Sequence, residues 1–427
     1  MKTVVLIGTL DTKGPEIAYL RDRLRALGVG VLVVDSGVLG APLGIVPDIT
    51  NAEVARKGGT TIEALRNAGS RGKAVYGMLA GLTRLALDLY KAGQLDAVAT
   101  MGGAEGAVLG ASAMTCLPIG VPKVIVTPIA SGRRRFGPLV GTKDVIVVHS
   151  VVDILGLNPI STTIFDNVAA SLAGMVKEGH GLKITDDRPR VAITMLGNTT
   201  TAVMRIRDGL AAHGFDSVIF HANGVGGPAM EELATEGLFT GVIDFTTDEL
   251  TDELVGGFHV GGPERLRRIG RLGLPQIVVP GCIDFSVHGR PEEVPARLQG
   301  RPVYTHNPEF TLVRTNPDEM IELGRIFAAR LQEATGPVEV VVPTQGLSIP
   351  NVPGGPFWDE AADAGFLATL RAELRPDIPL HTAPVHINTA EFADLVVARF
   401  VAVLQKASPA LRMAAGQEGR AAAPGAG

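Results

Sequence analysis

One pattern recurs along this chain and limits what it can fold into. Val4-Val5-Leu6-Ile7 is a short β-branched run that stops at Gly8 and passes through the polar loop Thr9-Leu10-Asp11-Thr12-Lys13-Gly14. It then enters a segment whose apolar residues, Ile17, Leu20, Leu24 and Leu27, recur at helical spacing. Pro15 stands at the start of that helix, where its missing N–H costs nothing. Gly28 ends the helix, and residues 31–34 supply the next strand. Strand, helix and strand in so short a span form a βαβ unit, which requires a parallel sheet and a right-handed crossover. The pattern continues with helices near residues 51–67 and 74–91, strands at 97–101, 124–126 and 145–148, and a long helix over 159–177. Continuous aliphatic strands of this kind fit a sheet buried on both faces.

Residues 179–189 are polar and rich in turn formers, and read as a linker. The chain then restarts with the strand Val191-Ala192-Ile193-Thr194-Met195 and the loop Gly197-Asn198-Thr199-Thr200-Thr201. The restart resembles the beginning. Leu20-Arg21-Asp22-Arg23-Leu24 leads to Gly28 and a strand, and Ile206-Arg207-Asp208-Gly209-Leu210 leads to Gly214 and a strand. Duplication and the shared habit of any two βα units both account for this. Either way, 427 residues call for two domains, here 1–180 and 188–406. Further strands are expected at 241–244, 276–279 and 338–342, and a last helix at 390–405. Residues 281–308 show little regular pattern and read as a long loop or a small insert. The Ala/Gly-rich segment 408–427 reads as a disordered tail. The fold expected is α/β: two tandem doubly wound, Rossmann-like parallel-sheet domains with a ligand cleft between them.

The charge balance excludes some functions. A net charge of −5 without a basic stripe offers no footprint for nucleic acid. No apolar run reaches the ~18 residues of a spanning helix, and the first residues lack the length and cleavage site of a signal peptide. Two cysteines, Cys116 and Cys282, make no disulfide framework. A cytoplasmic protein with no membrane and no nucleic-acid partner is expected.

In parallel sheets, ligands sit beyond the carboxyl ends of the strands, where Gly-rich turns and helix starts favour anions. In the first such loop, Gly8, Thr9, Asp11, Thr12 and Lys13 are candidates: Lys13 for a phosphate, Asp11 for a metal or a ribose. An ordinary capped helix start explains the loop equally well, and the spacing is not that of a Walker A loop. The second loop, Gly102-Gly103-Ala104-Glu105-Gly106, suits phosphate through Gly102, Gly103 and Gly106, whereas Glu105 would repel one unless a metal or an arginine intervened. Arg133, Arg134 and Arg135, after Ser131 and Gly132, are candidates for that charge, against the plainer reading of a solvated loop. Thr127, Ser131, Gly132, Asn198, Thr199 and Gly226 end other strands or stand in their loops and complete the set of candidate cofactor-binding groups. For chemistry the candidates are Asp11, Lys13, His221 and Asp284. Cys282 reads as a buried thiol, because no base adjoins it in sequence. The nine histidines show no metal-ligand spacing, and Asp248 to Glu253 read as a helix start favoured by its dipole.

Taken in order, several of these segments resemble one family. They are Gly8 to Lys13, Leu117 to Val124, Ala130-Ser131-Gly132, Gly141-Thr142 and Ser150 to Asp153, followed by Pro189 to Thr200, Phe220-His221-Ala222, Gly224 to Gly227, Asp252 to Gly257, His306-Asn307-Pro308, Pro353 to Phe357 and His386-Ile387-Asn388. Over roughly residues 1–405 the chain is similar to the Tm-one-like ATP-binding domain family. The resemblance implies ATP with Mg2+ at the N-terminal domain and a homodimer. Where the family's loop usually reads Gly-Gly-Ser-Gly-Gly-Thr, this chain has Gly102 to Ala107, with two hydroxyls gone and a carboxylate added. Three readings stand: an ATP-binding protein, an enzyme acting on a small phosphorylated or carboxylated acid, and a sensing or interaction protein.

Overall fold

A computed structural model describes residues 1–69, 71–130, 139–184 and 187–407, without the side chains of 71–73 and 306. The tail 408–427, Ser131, Gly132, Arg133, Arg134 and Arg135 lie outside the described residues. The chain divides into two units, 1–185 and 186–427.

The first unit runs β1 (Thr3–Gly8), α1 (Leu10–Ala26), β2 (Gly30–Asp35), α2 (Asn51–Lys57), α3 (Ile62–Arg66), α4 (Arg71–Lys91), β3 (Ala97–Met101), α5 (Ala104–Thr115), β4 (Lys123–Thr127), β5 (Val145–His149) and α6 (Pro159–Glu178). Its five strands are all parallel, in the order β2-β1-β3-β4-β5. Successive strand residues point to opposite faces. Val4 and Leu6 therefore join Ile17, Leu20 and Leu24 of α1 and Phe165 and Leu172 of α6 on one face. Val5 and Ile7 join α2, α3, α4 and α5 on the other.

Two expectations needed adjustment here. α1 starts at Leu10, not Pro15, but it breaks at Lys13 (φ −123°, ψ 17°), so Pro15 opens the main segment. The helix expected over 51–67 is two helices, parted at Gly58-Gly59, where Gly59 has φ 83°.

The second unit runs β6 (Arg190–Met195), a short 3-10 turn (Gly197–Thr199), α7 (Thr200–Ala212), β7 (Asp216–His221), α8 (Gly226–Thr235), β8 (Gly241–Thr246), α9 (Asp248–Val255), α10 (Arg268–Arg271), β9 (Gln276–Gly281), β10 (Phe285–His288), β11 (Val303–Asn307), β12 (Phe310–Arg314), α11 (Pro317–Leu331), β13 (Val338–Pro343), α12 (Glu360–Glu373), β14 (Leu380–Ala383) and α13 (Ala390–Lys406). Its main sheet is parallel, in the order β7-β6-β8-β9-β13-β14. Counted within this sheet, the first five strands, β6, β7, β8, β9 and β13, repeat the order of the first sheet. The helix placement repeats too, since α7 and α13 share one face as α1 and α6 do. Gly28 and Gly214 follow α1 and α7 with φ 73° and 83°. The stretch expected to be a loop or insert is an insert: β10, β12 and β11 form a small antiparallel sheet. Among the described residues no helix is long and apolar enough to cross a membrane.

Glycines in α4 let α2 and α3 pack closely: a Cβ at Gly81 would lie 2.1 Å from the carbonyl oxygen of Val54. At Gly174, on α6, a Cβ would meet nothing within 4 Å. Gly81→Ala is therefore expected to cost about 1–3 kcal/mol through overpacking. Gly174→Ala is expected to gain up to about 1 kcal/mol from helix propensity. Urea denaturation of both variants checks the pair, and equal effects would mean that the α2–α4 contact is looser than described.

Candidate functional site

In the first sheet β2 and β3 flank β1 on opposite sides. The chain leaves the carboxyl ends of β1 and β3 toward opposite faces, which opens a crevice between their loops. A cavity of about 610 Å³ lies there, within the range of small-ligand sites. Thr9, Asp11, Thr12 and Lys13 line it from the cap and first turn of α1, Ser36, Val38 and Leu39 from the loop after β2, and Gly103, Ala104, Glu105 and Gly106 from the start of α5. Leu65, Arg66, Gly69, Ala74, Val75 and Leu109 complete the wall. Every lining residue belongs to the first unit.

The two loops singled out in the sequence thus meet, but their residues divide the work differently. The Asp11 carboxylate accepts the amides of Leu39 (3.0 Å) and Gly40 (3.1 Å) and ties the β2 loop over α1. The Lys13 ammonium donates to the Ile154 carbonyl, and the Glu16 carboxylate accepts from the Gly156 amide at 2.5 Å, so α1 also holds the loop after β5. Thr9 and Thr12 hydrogen-bond each other at 3.0 Å. Gly14 serves packing, since a Cβ there would lie 1.9 Å from the Leu43 carbonyl oxygen. A Cβ at Gly8 would strike Ile17 at 2.6 Å. Gly102 packs on Gly106, and Thr127 accepts from the Ile129 amide at 3.4 Å; neither Gly8, Gly102 nor Thr127 lines the cavity.

The start of α5 differs from that of α1. Gly103 caps it in an extended conformation (φ −67°, ψ −160°) with no side-chain bond, and a Cβ at Gly103 would meet nothing within 4 Å. A helix start that faces open space favours an anion through its amides and dipole.

Sequence reasoning passed over Asp35 and Ser36. Asp35 is buried, and Oδ1 accepts the Leu10 amide (3.2 Å) and the Gly37 amide (2.9 Å). Burial outweighs those two bonds and pushes its pKa from 3.8 up to about 6. Ser36 is also buried, lines the cavity, and its hydroxyl has no hydrogen-bond partner. An acid at the carboxyl end of the second strand is a signal the sequence does carry.

Two family models match the chain. The N-terminal domain of an uncharacterised protein family (UPF0261) matches residues 2–181, and that family's C-terminal domain matches residues 188–404. The chain belongs to the UPF0261 family. A UPF0261 protein of Clostridium tetani is 36% identical over 95% of this chain and 100% of its own length. The ToMV resistance protein Tm-1 of tomato (Solanum lycopersicum) is 32% identical over 94% of this chain, which spans 56% of that longer protein. Among solved structures, a UDP-GlcNAc 2-epimerase of Methanocaldococcus jannaschii is 12% identical, with a TM-score of 0.22, over 65% of this chain and 83% of that one. That likeness is too slight to carry any inference about ligand or reaction.

In this UPF0261 chain the second unit fills its own switch point. Arg265, fully buried, donates from Nε to Glu249 at 2.5 Å, from Nη2 to Asp244 at 2.6 Å and from Nη1 to Glu231 at 3.3 Å. The other Glu249 oxygen accepts the amides of Gly224 (2.9 Å) and Gly227 (3.1 Å), at the start of α8. A Cβ at Gly227 would lie 1.9 Å from that carboxylate, and one at Gly226 would lie 1.9 Å from the His221 carbonyl oxygen. This Gly-rich loop is thus fitted to an internal ion pair. Thr199 and Thr246 bond each other at 2.8 Å, and the Asn198 carbonyl accepts from Asn388 at 2.8 Å.

His221, Asp284 and Cys282 take no part in these bonds of Arg265. His221 ends β7, with a pKa lowered mainly by burial and then by the nearby His259. Asp284, buried beyond β9, accepts from Ser348 at 2.6 Å, and burial raises its pKa to about 6. Cys282 is free and fully buried, and burial holds its thiol well above the usual range, which disfavours the thiolate. Asp248 and Glu249 do open α9, as expected, but both are buried.

Two outcomes are expected. Asp35 binds its proton more tightly folded than unfolded, so its contribution to stability is complete below pH 3.8 and is lost as pH rises through about 6. Asp35→Asn keeps the acceptor and cannot ionise. It should match the wild type near pH 4 and exceed it by about 2 kcal/mol at pH 7.5, as read by urea unfolding across pH. An identical pH profile would show that Asp35 stays solvated. Glu249→Ala, which leaves Arg265 and two amides short of partners, should cost about 3–5 kcal/mol. Glu322→Ala, in an exposed pair with Arg325, should cost well under about 1 kcal/mol.

Proposed function

We propose that the first unit binds ATP together with Mg2+ at the switch-point cavity. The observation that carries this is the glycine-started helix α5, with open space above Gly103, at the wall of a cavity of about 610 Å³. The family resemblance supports the same reading. In it, the phosphates meet the first amides of α5, and Lys13 adds a positive charge from the β1 loop. The base lies against the apolar wall of Val38, Leu65, Ala74, Val75 and Leu109. Mg2+ held through phosphates needs only one or two carboxylates, and Asp11 and Glu105 line the cavity. Among the described residues no group of three His, Cys, Asp or Glu side chains forms a metal cage, so the ion in this reading arrives with the nucleotide. Pairing of two chains and a cytoplasmic location belong to the same reading.

Calorimetric titration with ATP and MgCl2 tests it. Saturable binding is expected in the wild type. Gly103→Val places methyl groups in the open space, in a conformation that valine tolerates, and should abolish binding while the melting temperature is kept. Lys13→Ala should weaken binding about tenfold, the effect of one charge-assisted contact. No heat and no thermal stabilisation of the wild type at millimolar ATP would sink the reading.

A further inference from the structure

We propose that the hydroxyl of Ser36 reads the 2′-hydroxyl of the bound nucleotide's ribose, so that the site takes ribonucleotides in preference to 2′-deoxyribonucleotides. This deepens the nucleotide reading and rests on it. In the doubly wound sheets that bind dinucleotides, an acid about 20 residues beyond the first turn binds the ribose. Here that acid is Asp35, the last residue of β2, and its Oδ1 is turned to the amides of Leu10 and Gly37. The next residue takes its place at the cavity. Ser36 is 1% exposed and lines the cavity, and its Oγ finds no partner in the protein. A buried hydroxyl without a partner costs free energy, and such groups call for a specific explanation. A ribose hydroxyl, donor and acceptor at once, supplies what a serine hydroxyl lacks.

The placement is rigid and correctly spaced. The Ser36 amide donates to the Gly8 carbonyl at 2.9 Å, and Asn51 holds the Gly37 carbonyl at 2.7 Å, so the backbone on both sides of the hydroxyl is fixed. β1 separates β2 from β3. At about 4.8 Å per strand, the two strand ends stand roughly 10 Å apart, a span that joins a ribose at Ser36 to phosphates at the start of α5. A trapped water satisfying Ser36 is the competing account.

The test is calorimetric titration of the full chain, wild type and Ser36→Ala, with the Mg2+ complexes of ATP, 2′-deoxy-ATP and 3′-deoxy-ATP. The wild type should bind ATP and 3′-deoxy-ATP alike and 2′-deoxy-ATP about tenfold more weakly. Ser36→Ala should bind ATP no better than the wild type binds 2′-deoxy-ATP, with an unchanged melting temperature. Equal wild-type binding of all three, a preference that follows the 3′ position, or a 2′ preference that survives in Ser36→Ala overturns the assignment and leaves the nucleotide site standing. If the wild type binds none of the three, the nucleotide site falls and the assignment falls with it. Even if the variant fails to fold, equal wild-type binding of ATP and 2′-deoxy-ATP overturns the assignment.

Discussion

The reversal of winding at β1 is the constraint on which the candidate site depends. A right-handed crossover carries the chain from β1 through α1 on one face to β2. To reach β3, on the other side of β1, the chain must return across the opposite face, and α2, α3 and α4 line that face. The strand residues obey this division one by one, Val4 and Leu6 facing α1 and Val5 and Ile7 facing α2–α5. Helices leaving β1 and β3 in opposite directions leave a crevice between their ends. The cavity follows from strand order and handedness. The loops that line it then only need side chains that hold them apart, which Asp11 and Lys13 do by tying down neighbouring loops.

Much of the architecture was legible because parallel strands buried on both faces must be aliphatic, and runs such as 4–7, 97–101 and 191–195 are hard to read otherwise. The strands of the antiparallel insert were not, because β10, β11 and β12 are short and mix polar with apolar residues, although β10 and β12 are almost wholly buried. The meeting of the β1 and β3 loops was legible as a set of candidates, since both follow strands. Glycine was the least reliable sign. Gly8, Gly14, Gly226 and Gly227 each stand where a Cβ would collide with the protein, whereas Gly103 faces open space. Sequence shows the glycine in every case and cannot show what lies beyond its Cα. The Arg265 hub left no trace either, because Glu231, Asp244, Glu249 and Arg265 are far apart in sequence and share no period.

The two units, set side by side, show what separates an open switch point from a closed one. In each, the helix after the third strand carries a glutamate as its second residue, Glu105 on α5 and Glu249 on α9. In the second unit the connection from α9 to β9 supplies Arg265, which neutralises Glu249 and draws in Asp244 and Glu231. The glutamate's second oxygen then takes the amides of the loop after β7, so an internal carboxylate occupies the place of a ligand anion. In the first unit the corresponding connection, residues 104–122, contains neither arginine nor lysine. Glu105 stands at the cavity wall, and no cation of its own connection draws it inward. On one strand order, then, the third connection of the second unit supplies a buried arginine, Arg265, and that of the first supplies none.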